Sequence, residues 1–164
     1  MAEIMAKPEP KKRKLKFNNF DEMMADVRTL AEGGYISNGN WNLGQACSHI
    51  ADWMSFPMDG FPKPPLPIKL MLWVMKVTIG KGAKKKILAE GFSGGQMTAP
   101  QTVPKPDEYS DQQGLEKLQK TADRLSAYTG EIHESPLFGK SDLETTIKVS
   151  LLHAEHHLGY LEPK

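Results

Sequence analysis

The chain has one cysteine in 164 residues, Cys47, so no internal disulfide can form. Nothing therefore points to an oxidising compartment, and Cys47 reads as a small buried apolar residue rather than a nucleophile. The N-terminus lacks the apolar run that a secretory signal needs beside its charges. A bilayer-spanning run is missing too. The most apolar stretch, LPIKLMLWVMKVTIG at 66–80, is too short and is interrupted by Lys69 and Lys76. It reads as an amphipathic or buried helix, and the expectation is a cytoplasmic protein with no membrane partner. Alternating strand-like runs of any length are also lacking, which excludes a sizeable sheet.

Net charge is scarce overall, but it hides an asymmetry at the N-terminus. Residues 1–16 hold Lys7, Lys11, Lys12, Arg13, Lys14 and Lys16 against Glu3 and Glu9, within a chain of formal net charge +1. This segment, with its two prolines, predicts a flexible basic tail at 1–16 ahead of a folded domain at 17–164. Its PKKRK is similar to nuclear-import and nucleic-acid patches. The remainder is mildly acidic and offers no basic face, so nucleic-acid binding is not expected.

What is present is helical periodicity. Phe20, Met23, Met24, Val27 and Leu30 recur at helical spacing in a first helix over 19–32, capped by Asn18 or Asn19 and stopped at Gly33-Gly34. A second over 42–56 starts at a capping box, Asn42 with Gln45, and should end at Pro57. A third over 108–129 carries Leu115, Leu118, Ala122, Leu125 and Tyr128, with Gly130 as its stop. A last helix over 142–160 follows a second capping box, Ser141 with Glu144. Between the second and third lie the apolar helix at 66–79 and a long Gly- and Pro-punctuated connection, with one short helical stretch near 83–90. Connections of that length often lie over a site. The fold class is all-α, a four-helix bundle with one additional hydrophobic helix.

The chemistry-bearing residues are histidines. Three of the five fall in LLHAEHHLGYLEPK at the C-terminal end. On the last helix Leu143, Ile147, Ala154, Leu158 and Leu161 form the buried arc; His157 falls about 40–60° from its centre and His153 about 80–100°, on one side. His156 points further outward. Residues four apart lie one helical turn apart, so His153 and His157 can both turn a ring nitrogen to one metal. His49 sits at the core edge of the second helix, one turn before Trp53, and could complete a three-histidine site open to water. Asp52 is a candidate for a carboxylate behind His49; Glu131, His133 and Glu134 are candidates for proton transfer at the mouth. For all four, a solvated surface role is the competing reading.

These residues also carry a family resemblance. GNWNLGQACSHIADWM, with Trp41, Gln45 and His49 in a W-x-x-x-Q-x-x-x-H pattern, resembles the second-helix motif of the DinB-like superfamily. SPLFGKSDLETTIKVSLLHAEHHLGYL is similar to that superfamily's ending, in which a proline–aromatic–glycine turn leads to a helix bearing H-x-x-x-H. PLFG…HAEHHLGYLEPK, with Gly91, Phe92, Ala99 and Pro100, resembles a bacterial branch described only as a domain of unknown function. The resemblance covers about residues 17–161. It implies an up-down-down-up four-helix bundle holding a divalent metal (Ni or Zn, with Fe or Mn as further candidates) on His49, His153 and His157, with His156 left out. Relatives in the superfamily include metal-dependent thiol transferases and a mycothiol-dependent isomerase. Two places depart from the pattern: Ser135 stands where the branch often has histidine, and Leu158-Gly159-Tyr160 replaces the Arg-Gly-Gln of many thiol transferases.

Two functions follow as expectations. One is a metal-dependent transferase or hydrolase acting on a small molecule, for instance a low-molecular-weight thiol. The other is a non-catalytic bundle acting as a binding module, with the 66–79 helix burying its surface in a homodimer.

Overall fold

The structure is a computed structural model that describes residues 10–94 and 102–164. It is an all-α helical bundle of α1 (Phe20–Gly33), α2 (Leu43–Asp59), α3 (Leu66–Met75), α4 (Lys81–Glu90), α5 (Asp111–Ser126) and α6 (Leu143–Leu158). A five-residue π-helical turn, Lys76–Gly80, joins α3 to α4 without a break. Two short strands, β1 (Tyr35–Ser37) and β2 (Leu161–Pro163), pair antiparallel with Ile36 opposite Glu162. Strands of three residues carry too little alternation to be read from sequence.

The core follows the predicted periodicity. Met23, Met24, Val27 and Leu30 of α1 meet Leu43, Cys47, Ile50 and Met54 of α2, Leu118 and Leu125 of α5 and Leu158 of α6 in one buried cluster. Burial pushes the Cys47 thiol far above its ordinary pKa, which keeps it protonated and inert. The central helix α2 packs on α5 through two glycines. A Cβ on Gly44 would stand 2.5 Å from the Tyr109 carbonyl oxygen, and one on Gly114 would stand 2.5 Å from that of Gly44. Asp111 ties the same crossing, accepting from the Gly44 amide at 2.9 Å and from the Tyr35 hydroxyl at 3.2 Å.

The α1 cap is one of the two residues expected, and the other boundaries differ from expectation, each for a local reason. Asn19 caps α1, its side chain accepting from the Glu22 amide. α2 does not stop at Pro57 but continues to Asp59 and ends at Gly60, φ 100°. A proline in the last turn removes one amide, whereas the left-handed glycine redirects the chain. α5 ends at Ser126, before Gly130, with the Tyr128 hydroxyl 3.2 Å from the Met58 carbonyl oxygen and 3.1 Å from that of Glu131. On α6 the cap is Asp142, which accepts from the Thr145 amide at 2.7 Å, and not Ser141, whose hydroxyl meets Lys84.

Two segments depart further. The basic stretch is not free over its described part. The Arg13 guanidinium grips both carboxylate oxygens of Asp26 (2.8 and 2.9 Å), and its amide donates to the Gly159 carbonyl at 2.7 Å. The open carbonyls at the C-terminal end of α6 attract such a cation. Residues 1–9 lie outside the described residues. The apolar helix α3 is not buried: none of its residues is buried, and only Leu72 and Met75 are half-covered. Among the described residues no helix is long and apolar enough to cross a membrane.

Candidate metal centre

α2 and α6 bring His49, His153 and His157 together. One ring nitrogen from each lies within 4.8 Å of the others, and no other such group occurs among the described residues. The Nε2 of His153 stands 3.2 Å from that of His49 and 3.1 Å from that of His157. Nitrogens bound to one zinc-sized ion at about 2.0–2.1 Å, in a tetrahedral arrangement, stand about 3.3 Å apart. The two spacings that involve His153 match such an ion, while His49 and His157 lie within 4.8 Å of each other and need only draw together around it.

The protonation pattern fits as well. His49 Nδ1 lies 2.8 Å from the Thr102 carbonyl oxygen, an acceptor only, so Nδ1 carries the proton and Nε2 presents its lone pair. Burial lowers the pKa of all three rings. For His153 the lowering is large, with the neighbouring histidines adding to it; His157 is pushed down to about 2 by burial first and by His49 next. At neutral pH the cluster is three neutral imidazoles, and a proton placed on His153 Nε2 would satisfy only one neighbour. Three convergent neutral nitrogens are a donor set for a divalent cation.

Aromatic rings wall the cluster. Trp41 stacks on His157 at 5.1 Å and meets His49 at 4.8 Å; Trp53 stacks on His153 at 4.3 Å; Phe92 meets His153 edge-on at 5.3 Å. The helical spacing of His49 and Trp53 was visible in the sequence. The closure by Phe92 and the Thr102 carbonyl was not, because both come from the long connection, whose path no periodicity encodes. Ala99 and Pro100 of that connection lie outside the described residues.

Helical phase ranked the histidines in the wrong order. His153 is buried and His157 half-buried, because Phe92 and Trp53 cover the flank of α6 that carries His153. His49 is buried rather than at the core edge, at 2% exposed. His156 is half-buried and turns away: Lys12 donates to its Nδ1 at 2.9 Å, and the Phe92 carbonyl oxygen lies 3.2 Å from the same nitrogen.

The other candidates take structural parts. Asp52 pairs with Lys117 at 2.7 Å, and Lys117 also donates to Ser48, so the carboxylate supports His49 only through its field. Glu134 pairs with Lys76 at 2.9 Å, the His133 amide donates to Pro57, and Glu131 is exposed. Ser135 caps its own turn, its hydroxyl accepting from the Leu137 and Phe138 amides, which gives serine a purpose ahead of Pro136-Leu137-Phe138-Gly139.

The family described as Protein of unknown function (DUF1569) matches residues 9–164. The chain belongs to this family. The DUF1569 match takes in the docked basic segment and both elements that carry the histidines. No curated protein and no solved structure matches the chain.

Proposed function

We propose that the protein is a divalent-metal enzyme in which His49, His153 and His157 hold Zn or Ni and leave coordination positions open to substrate. The observation that carries this reading is the convergence of three neutral imidazole nitrogens, one of them fixed as a lone-pair donor by Thr102. A metal on three neutral ligands keeps its full charge and supplies the acidification of a bound thiol or water.

The chain's own residues limit the chemistry. Of the three carboxylates expected nearby, Asp52 and Glu134 are each held by a lysine and Glu131 is exposed. Neither paired carboxylate is free to shuttle a proton to a poor leaving group. A substrate that brings its own acidic proton suits such a site, and a low-molecular-weight thiol has one. Trp41, Trp53 and Phe92 pack against the imidazoles and offer an apolar wall to an electrophilic partner. The resemblance to the DinB-like superfamily supports the metal; Leu158-Gly159-Tyr160, in place of the Arg-Gly-Gln of its thiol transferases, speaks against their particular thiol cofactor. Buried, reduced Cys47 fits a reducing compartment such as the cytoplasm.

The test is turnover by metal-loaded protein. Small thiols paired with alkylating or acyl electrophiles, and activated esters with water alone, are assayed against wild type and His157→Ala. Thiol transfer that needs metal and His157 supports the reading. Ester hydrolysis without thiol transfer would move it to a hydrolase, and no turnover with either substrate set would leave a metal-binding module.

A further inference from the structure

The helix that the core leaves uncovered has an unusual setting. Leu66, Leu70, Trp73 and Val77 are 78%, 61%, 55% and 58% exposed. Residues 66–71 are exposed in succession, and beyond them only Leu72, Met75 and Lys76 are half-buried, so the bundle covers one narrow stripe and leaves the rest of the helix bare. Uncovered apolar side chains of this size, with Lys69 among them, mark an interaction surface.

The charge around it has one sign. Residues 60–89 contain seven of the chain's 21 basic residues and none of its 20 acidic ones. Lys76 is paired with Glu134, and Lys84 donates to the Lys140 carbonyl and Ser141. Lys63, Lys69, Lys81, Lys85 and Lys86 are exposed. A second copy of this face would bring the same five cations against them, which disfavours self-association through α3.

We propose that α3 and the start of α4 form a docking surface for an anionic lipid membrane, with α3 lying in the headgroup region and the lysines on acidic headgroups. Ten residues of helix extend about 15 Å, half of a hydrocarbon core of about 30 Å, so α3 enters the interface and does not cross. Exposed Trp73 among aliphatic residues is the side chain favoured at that depth, and apolar insertion beside lysines is the pattern of interfacial anchors. The expectation of no membrane partner rested on the absence of a span, which this mode does not need. The π turn also has a role here. A Cβ on Gly80 would stand 2.5 Å from the Leu137 carbonyl oxygen, so the loop before α6 seats against the helix at that point and holds α3 outward.

The experiment is cosedimentation of the full chain with vesicles of phosphatidylcholine alone and of phosphatidylcholine with phosphatidylserine, followed by Trp fluorescence. Binding only to the anionic vesicles, weakened by salt, with a blue shift lost in Trp73→Phe, is expected. Lys85→Ala and Lys86→Ala should each weaken binding about fivefold, and Leu70→Ser with Trp73→Ser should abolish it while helicity is retained. Absence of binding to the anionic vesicles, or equal binding to both kinds, would overturn the proposal. So would a vesicle-free dimer that is lost in the Leu70→Ser, Trp73→Ser variant, which would assign the face to a second copy. The lysine variants leave α3 untouched and decide the matter should the serine variant misfold.

Discussion

The Nδ1 of His49 lies 2.8 Å from the carbonyl oxygen of Thr102, and this contact sets the proton arrangement of the whole cluster. With the proton held on Nδ1, Nε2 faces His153 as an acceptor. Nitrogen NMR of the protein should show His49 as the Nδ1–H tautomer both before and after metal is added. An Nε2–H tautomer in the metal-free protein would break the link between Thr102 and the site.

Stability of the metal-free protein should fall with acid from about pH 6.5 downward. Burial lowers the folded-state pKa of His49, His153 and His157, and of His156 to about 4, so between those values and about 6.5 the unfolded chain binds more protons. The contribution of the neutral rings is complete above about pH 6.5 and is lost as pH falls through that window, by up to about 1.4 kcal/mol per pH unit for each ring of the cluster and by less for part-exposed His156, which solvent screens. Urea unfolding at pH 7.5 and pH 5.5 measures this; equal midpoints would contradict it.

Two glycine-to-alanine changes should act in opposite directions. Gly44→Ala drives a methyl into the carbonyls of Tyr109 and Ser110 and should cost about 1–3 kcal/mol. Gly82, in α4 with nothing within 4 Å of a new Cβ, should gain about 0.5–1 kcal/mol as alanine. Thermal melts of both variants check the α2–α5 crossing, and a neutral Gly44→Ala would show that the helices are not in backbone contact.

The basic segment should stabilise the bundle through Arg13. Its paired hydrogen bonds to Asp26 are largely sheltered, and Arg13→Ala should cost about 1–2 kcal/mol. Lys11, exposed beside Glu162, should change stability by less than about 0.5 kcal/mol when replaced by alanine. Denaturant titrations of the two variants should separate clearly, and coincident curves would mean that the segment is not docked.

The repeating apolar positions of α1, α2, α5 and α6 were legible because each helix buries one stripe against the others. The stacking of His153 and His157 was legible for the same reason, being fixed by helix geometry alone. What the sequence concealed depends on distant contacts. Thr102 and Phe92 reach the cluster from an irregular connection, and Arg13 looked like solvent-facing charge until Asp26 and the end of α6 stood opposite it. The exposure of α3 was hidden differently: an apolar helix looks the same on paper whether its surroundings are core or another phase.

The central claim, a metal held by three histidines, is tested most directly by metal content. Wild-type protein, purified without chelator and reloaded with Zn or Ni, should carry about one equivalent, and His49→Ala, His153→Ala and His157→Ala should each lose at least tenfold in affinity. A folded wild type that refuses both metals, or a His49→Ala variant that retains full occupancy, would contradict the account.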